Sequence, residues 1–481
     1  MLVLFYILGL PLIAGGIFFA NSSRKVKFQV SLLIAIIHLV VSYMIFTGFA
    51  TPALSPWFRY DALSKLFLLI LSHVYFWVIL NSYQFLNQPG IYQTEKSKKI
   101  FYSMLNFYLF ANTLAIISNH LGLYWVALES TTLCVAPLIY YYRNKESLEA
   151  MWKYLFLVSV GIAFAFIGIL FLALSAQGTE VFEKGLFLDN LISGAGKLNL
   201  VWLKASFIFI FAGLSTKAGI APMHPGEVDA LSNSPSPVAA LVSASLSGTA
   251  LIGILRLLQI LVKTPVYQFA QVLMITGGLT SLCVALIFIY RVSNYKRMIA
   301  YSSIEHIGIV VLGAGIGGIA IAGAMLHLIY NSINKTAMFL MAGNIHRAYK
   351  TREVGGVTAV LKNMKWTGIL FLLSFLGVIA MPPFGIFFSE LMIFKGLADT
   401  NRYILLPVML FLLLFIFIGM SKSVFGMLYG KREGAEPIPV ERFGFSHFSA
   451  LALLVLLAAL GLIIPAPLSN IISQIAGEFS R

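Results

Sequence analysis

Charge is scarce in this 481-residue chain: Asp, Glu, Lys and Arg make up 11% of it against 59% hydrophobic residues, and the mean hydropathy is +0.90. Soluble domains carry about 25% charged residues, so the composition excludes an ordinary soluble fold. Cysteine is nearly missing, with only Cys134 and Cys283, both inside apolar runs. Iron–sulfur clusters need several thiolates, no glycine-rich dinucleotide fingerprint follows a strand, and no Cys/His cluster has metal-ligand spacing. No cofactor or metal is therefore expected in this chain, no nucleophile constellation marks it as a stand-alone enzyme, and any redox chemistry must belong to a partner. Strand-length alternation is also missing, which argues against a β-barrel. Acids are few, 18 against 33 Lys and Arg, for a net charge of +15. The basic residues are spread over short loops rather than clustered, so no nucleic-acid partner is expected.

What is present is a succession of apolar runs of membrane-spanning length. Fourteen spans are expected, near 2–20, 29–49, 62–82, 101–117, 121–142, 152–175, 202–222, 237–261, 266–290, 298–318, 320–344, 366–394, 404–428 and 447–467. The chain reads as one all-α polytopic membrane domain, residues 1–481, in a lipid bilayer. The odd loops are the basic ones: Lys96, Lys98 and Lys99 in the third, Arg291, Lys296 and Arg297 in the ninth, Lys422, Lys431, Arg432 and Arg442 in the thirteenth. By the positive-inside rule those loops face the cytoplasm of a prokaryotic inner membrane. An even number of spans then puts both termini on the outer face.

Proline interrupts two spans. The seventh runs into Ala221-Pro222-Met223-His224-Pro225-Gly226, and the twelfth holds Met381-Pro382-Pro383-Phe384-Gly385. Proline removes a backbone donor, and broken backbone at membrane depth survives only inside protein or along a cavity. Breaks five spans apart suggest two inverted repeats, residues 101–261 (spans 4–8) and 266–428 (spans 9–13), with function at the breaks.

Titratable side chains sit where lipid should exclude them: Glu129, Lys217, Glu305, Lys335 and Glu390, joined by His306 and His327. Five such charges facing lipid would together cost on the order of 15 kcal/mol, so they must face one another or water. Glu129 is the only acid of the fifth span and the natural partner of Lys217, whose proton affinity a neighbouring carboxylate would tune. His327, Asn331 and Lys335 are spaced by four and share one helix face. Glu305 and His306 open the tenth span, and Glu390, after the double proline, is the expected exit gate. A buried row of acids, bases and imidazoles can pass protons across a membrane. Lys153 and Arg256, near span ends, read as interface anchors.

Three stretches carry a family resemblance: Ser215-Thr-Lys217-Ala-Gly-Ile-Ala-Pro-Met-His224 leading to Pro235-Ser-Pro237; Lys296-Arg-Met-Ile-Ala-Tyr301-Ser-Ser-Ile-Glu-His306-Ile-Gly308; and Asn331-Ser-Ile-Asn-Lys335-Thr-Ala. In this order they resemble the antiporter-like subunits of the respiratory complex I superfamily, over roughly residues 60–430. That superfamily takes in NADH:quinone oxidoreductase, the multisubunit sodium/proton antiporters and the group 4 membrane-bound hydrogenases. The stretch Met381 to Glu390 is most similar to the hydrogenase-4 component F subgroup. The resemblance implies discontinuous seventh and twelfth helices, two inverted five-helix repeats, and a proton path using Glu129, Lys217, Lys335 and Glu390, with His224 and Asp229 in the kept part of the break. Two departures stand out. The eighth span, Leu241 to Thr249, has hydroxyls where the family commonly has a Lys or His. Pro225-Gly226-Glu227-Val228 replaces the family's usual Trp-Leu-Pro before Asp229.

The function expected is a proton-translocating subunit of a redox-driven complex, a group 4 hydrogenase or related oxidoreductase. Its partners would be other membrane subunits, antiporter-like paralogues among them, and soluble redox subunits holding a nickel–iron centre and iron–sulfur clusters. The alternatives are a subunit of a multisubunit Na⁺/H⁺ antiporter and the proton-coupled membrane subunit of an inorganic-carbon uptake complex.

Overall fold

The computed structural model describes residues 2–19, 23–50, 55–87, 95–430 and 441–480. The thirteenth-loop residues Lys431 and Arg432 lie outside them. Seventeen helices carry the argument: α1 (Leu2–Ile17), α2 (Arg24–Thr47), α3 (Ala62–Leu86), α4 (Glu95–Ile117), α5 (Leu121–Ile139), α6 (Lys145–Ala176), α7 (Leu200–Ala218), α8 (Pro225–Asn233), α9 (Ser236–Leu261), α10 (Tyr267–Arg291), α11 (Tyr295–Ile316), α12 (Ile319–Tyr349), α13 (Lys365–Val378), α14 (Gly385–Asp399), α15 (Leu405–Tyr429), α16 (Phe445–Leu462) and α17 (Ala466–Glu478). No named strand occurs among the described residues. The protein is an all-α multi-pass membrane protein.

Polar side chains cap several helix starts. Asp61 accepts from the Ser64 amide at 3.0 Å at the head of α3, and Asn144 and Ser147 cap α6 reciprocally. Among the described residues, eleven helices are long and apolar enough to cross a bilayer. Three of the fourteen expected spans differ from those eleven for separate reasons. The first is short; the eleventh, α12, is long but loses hydropathy to its His327–Asn331–Lys335 stripe; the twelfth is split into α13 and α14.

The helices sort into an enclosed centre and a lipid-facing rim. The apolar stretches of α9 and α11 are wholly buried, whereas only 33% of that of α15 is. Large apolar side chains such as Phe156, Val272 and Phe411 point outward from the rim helices. Against α6, α7 approaches backbone to backbone: a Cβ on Gly213 would lie 2.4 Å from the Gly161 carbonyl oxygen. Only glycine permits that closeness, the small-residue packing that drives helix association in lipid.

Both proline breaks open the backbone. Gly219, in the left-handed conformation at φ 77°, ends α7, and Pro225 starts α8. α13 stops at Val378 and α14 begins at Gly385, after Pro382 and Pro383. Near the middle of the enclosed α9, Val242–Leu246 forms a π-helical turn, a local widening often found at functional sites.

Several cations expected in loops stand on helix ends instead: Lys96, Lys98 and Lys99 on α4, Arg291 on α10, Lys296 and Arg297 on α11, and Lys422 on α15. Lys296 is fully buried on the first turn of α11 and donates to the Ser234 carbonyl at 2.7 Å, tying α11 to the first break. Its basic neighbours Arg291 and Arg297 made it read as a loop cation, but helix α11 starts one residue before it.

Candidate functional site

Two polar clusters occupy the buried centre. In the first, Lys217 sits on the last turn of α7, 2% exposed. Its Nζ donates to the Leu128 carbonyl and, at 2.7 Å, to Thr132 Oγ1. Thr132 in turn donates to Glu129 Oε2 at 3.3 Å, and Ser159 of α6 donates to Glu129 Oε1 at 2.8 Å. Lys217 and Glu129 are thus joined through one hydroxyl rather than by direct contact. A neutral relay holds the ammonium and carboxylate near each other without locking them into one ion pair.

The second cluster spans α11, α12 and α14. Lys335 Nζ donates to Ser302 Oγ and, at 3.5 Å, to the Ile299 carbonyl. Glu305 and His306, both buried, follow one turn along α11. His306 Nδ1 lies 2.9 Å from His327 Nε2, and His327 Nδ1 lies 3.0 Å from Ser389 Oγ on α14. Glu390 is the next residue, and it presents an oxygen within 4.8 Å of ligand atoms of both imidazoles. One Oε of Glu305, Nε2 of His306 and Oδ1 of Asn331 are buried without a hydrogen-bond partner; the carboxyl and the imidazole can take a mobile proton, and the amide oxygen can accept a hydrogen bond from water.

Two sequence-nominated residues sit apart. Asp229 of α8 is held by Arg297 at 3.1 Å and Lys153 at 3.5 Å, an ion-pair knot linking α8, α11 and α6. His224, at the start of α8, lies tilted against Tyr301 with ring centroids 6.0 Å apart and ring planes 58° to one another, its Nδ1 unpartnered. Arg256 is not an interface anchor: it is 3% exposed on α9 and grips both oxygens of Asp61, with Ser64 as a further acceptor at 2.7 Å.

A family model described as "NADH:quinone oxidoreductase/Mrp antiporter, TM" matches residues 118–416. Over 384 residues the chain is 33% identical to the hydrogenase-4 component F homolog of Methylacidiphilum infernorum (isolate V4), covering 78% of this chain and 79% of that protein. The chain belongs to the NADH:quinone oxidoreductase/Mrp antiporter family. Two solved members of such assemblies share its fold. One is a chain of the archaeal membrane-bound sulfane sulfur reductase, with a TM-score of 0.86, 21% identity, and coverage of 99% of this chain and 97% of that one. The other belongs to the Mrp complex of Dietzia sp. DQ12-45-1b, with a TM-score of 0.84, 17% identity, and coverage of 99% and 96%.

For an antiporter-like subunit of this family, the structure adds groups that sequence reasoning passed over. Thr132 bridges Lys217 and Glu129, Ser302 accepts from Lys335 and Ser389 pairs with His327, yet hydroxyls inside apolar runs are too common to single out. Glu227 is a fully buried carboxylic acid of α8, 2% exposed. It hides in a polar stretch, where an acid raises no alarm; the clue was its position inside a break that had to be buried.

Proposed function

We propose that the chain translocates protons as the membrane arm of a redox-driven complex, a group 4 hydrogenase or a related oxidoreductase. The hydrogen-bonded run from His306 through His327 to Ser389, with Glu390 beside it, is the observation that carries the reading. Imidazoles in series, each able to accept on one nitrogen while donating from the other, are suited to passing protons and poorly suited to passing a larger ion. Charge moved in a partner would alter the proton affinity of Lys217 and Lys335 in turn, because each feels a nearby acid, Glu129 and Glu305 respectively. Protons would load from the cytoplasm near Lys217 and leave outward by way of Glu390. This reading also takes the fourteen-span count, the two inverted repeats and the outward-facing termini as its frame.

The likeness to a hydrogenase-4 component F homolog supports the redox-driven version; the likeness in fold to an Mrp chain is compatible with the cation/proton antiporter. Purification from the native membrane in mild detergent, with mass spectrometry and nickel and iron assays, tests the choice. Nickel–iron or iron–sulfur subunits are expected; small membrane proteins alone, without metal, would transfer the reading to the antiporter. In inverted vesicles, Lys217→Ala is expected to abolish acidification with the complex still assembled. Normal acidification by that variant would overturn proton translocation through this chain.

A further inference from the structure

Between the two clusters lies a carboxyl group that neither uses. Glu227 Oε1 accepts from Ser247 Oγ of α9 at 2.6 Å, and Oε2 is buried with no hydrogen-bond partner. The carboxylate rests on Gly219, two residues beyond Lys217: a Cβ there would lie 2.0 Å from Oε2. The same Cβ would lie 2.9 Å from Ile304 Cδ1, between Ser303 and Glu305 of α11. Glu227 therefore stands where the end of α7, α8, α9 and α11 meet. An unpaired acid kept out of water at such a junction is costly unless it is used.

From Ser247 a row of hydroxyls leads away toward the second cluster. One turn back on α9, across the π-helical turn, Ser243 Oγ lies 2.8 Å from Ser303 Oγ of α11. Ser302, adjacent in sequence, accepts from Lys335 Nζ. On the other side, Tyr154 of α6 has a buried, unpartnered hydroxyl within electrostatic reach of both Glu129 and Glu227.

We infer that Glu227 is the proton-carrying group that joins the Glu129–Lys217 cluster to the Lys335 cluster, through the Ser247, Ser243 and Ser303 hydroxyls. The inference rests on the proton-translocating reading above. In the transfer, carried across an intervening water, an N–H bond of the Lys217 ammonium breaks and an O–H bond forms on Glu227, leaving a neutral amine and a carboxylic acid. Glu227 then releases that proton to the hydroxyl row. Each hydroxyl takes a proton on a lone pair and gives up its own on the far side, with one water spanning the turn between Ser247 and Ser243 and another the step from Ser303 to the Ser302–Lys335 pair. The proton ends on the neutral amine of Lys335. The eighth-span position, which holds only hydroxyls, thus needs no titratable side chain of its own, because α8 supplies one from the side.

The test compares variants of the whole native complex in inverted vesicles, reading acidification per redox turnover alongside assembly on native gels. Glu227→Gln, nearly isosteric, is expected to lower acidification at least tenfold in an assembled complex. Glu227→Asp is expected to keep a substantial part of it. The exchange Glu227→Ser with Ser247→Glu, which returns one carboxyl to the same junction from α9, is expected to recover at least a third. If Glu227→Gln does not assemble, Ser247→Ala against Ser247→Thr carries the same test, with loss in the first and retention in the second. Near-normal acidification by Glu227→Gln, or by Ser247→Ala where that pair is the test, while Lys217→Ala is dead, would overturn the role of Glu227 and leave the underlying reading intact. An assembled, inactive Glu227→Gln that neither the aspartate nor the exchange rescues would also overturn it, as a structural role. Normal acidification by Lys217→Ala would overturn both.

Discussion

His306 and His327 face each other across 2.9 Å from two different helices, and the second imidazole continues to Ser389 on a third. One of the two facing nitrogens must carry the proton while the other accepts it. The pair is therefore a two-state element: shifting one proton reverses which ring donates. His327→Ala removes the middle of the run and leaves His306 without its partner. General acid–base groups contribute about 10²–10⁴-fold to the steps they serve. The expected outcome is a fall in acidification of at least about tenfold, measured by a pH-sensitive dye in inverted vesicles, with turnover and assembly scored separately. His327→Gln, which can donate or accept but cannot hold the charge, should fail similarly.

Thr132 hydrogen-bonds both Lys217 and Glu129. Thr132→Val keeps the shape and removes the hydroxyl. A hydrogen bond to a charged group is worth about 1.5–3 kcal/mol, and its loss should uncouple the proton affinities of the lysine and the acid. Acidification is expected to fall about tenfold in Thr132→Val and to be retained in Thr132→Ser, which keeps the relay. Equal activity in both would show that Lys217 and Glu129 communicate by another route.

How much of this was legible beforehand depends on where a residue's neighbours come from. Lys217, Lys335 and Glu390 stand out because each is a charge inside an apolar run, a signal local to one segment. The breaks at Pro222 and Pro382 are equally local, since proline acts on its own helix. Lys296, Arg256 and Glu227 are misjudged or passed over for the opposite reason. Each lies among polar residues or near a helix end, and its burial is imposed by other helices: α8 and the first break over Lys296, Asp61 at the head of α3 over Arg256, and Gly219 with Ser247 around Glu227. Periodicity along one helix carries no information about which helix comes to lie on it. The span count suffers likewise, because the stripe that makes α12 functional lowers the hydropathy by which a span is recognised.

Arg256 and Asp61 form a buried, two-pronged ion pair that ties α9 to the head of α3, with Arg59 reaching Asp61 at 2.8 Å as well. Burial raises the Asp61 carboxyl, but the two guanidiniums and the Ser64 amide more than offset this and hold it below its ordinary value. A depressed native value means that the pair's stabilisation is complete above the unfolded carboxyl value of about 4 and is lost as pH falls through the native one. Asp61→Asn leaves the guanidinium buried and uncompensated, at a cost of about 3–5 kcal/mol. Thermal melts in detergent should show a clear drop for this variant at neutral pH. Its stability should also decline less steeply than the wild type's as the solution is acidified below about pH 4.

Gly213 lets α7 lie directly on the backbone of α6, one turn before Lys217. Any side chain there meets the Gly161 carbonyl, which belongs to a helix and cannot swing aside. Gly213→Val should therefore push the helices apart at a cost of about 1–3 kcal/mol and carry Lys217 away from Thr132. The expected result is a lower melting temperature together with lost acidification. Gly196→Val, where a Cβ meets nothing within 4 Å, is the matched control and should leave both unchanged.

Glu390 is the last acid of the buried row, 8% exposed, beside Ser389 and the histidine pair on the far half of the broken α13–α14 segment. A proton arriving at His327 needs an acceptor that can be neutral when occupied and charged when empty, and Glu390 is placed to be that group. Glu390→Gln keeps the volume and removes the titration. If the exit runs through this residue, the variant should load protons but release them slowly. Acidification in inverted vesicles would then fall at least about tenfold, whereas Glu390→Asp should fall less, because a shorter carboxylate can still be reached through a water. Unchanged acidification in Glu390→Gln would route the exit away from α14 and leave Ser389 as a structural end to the histidine run.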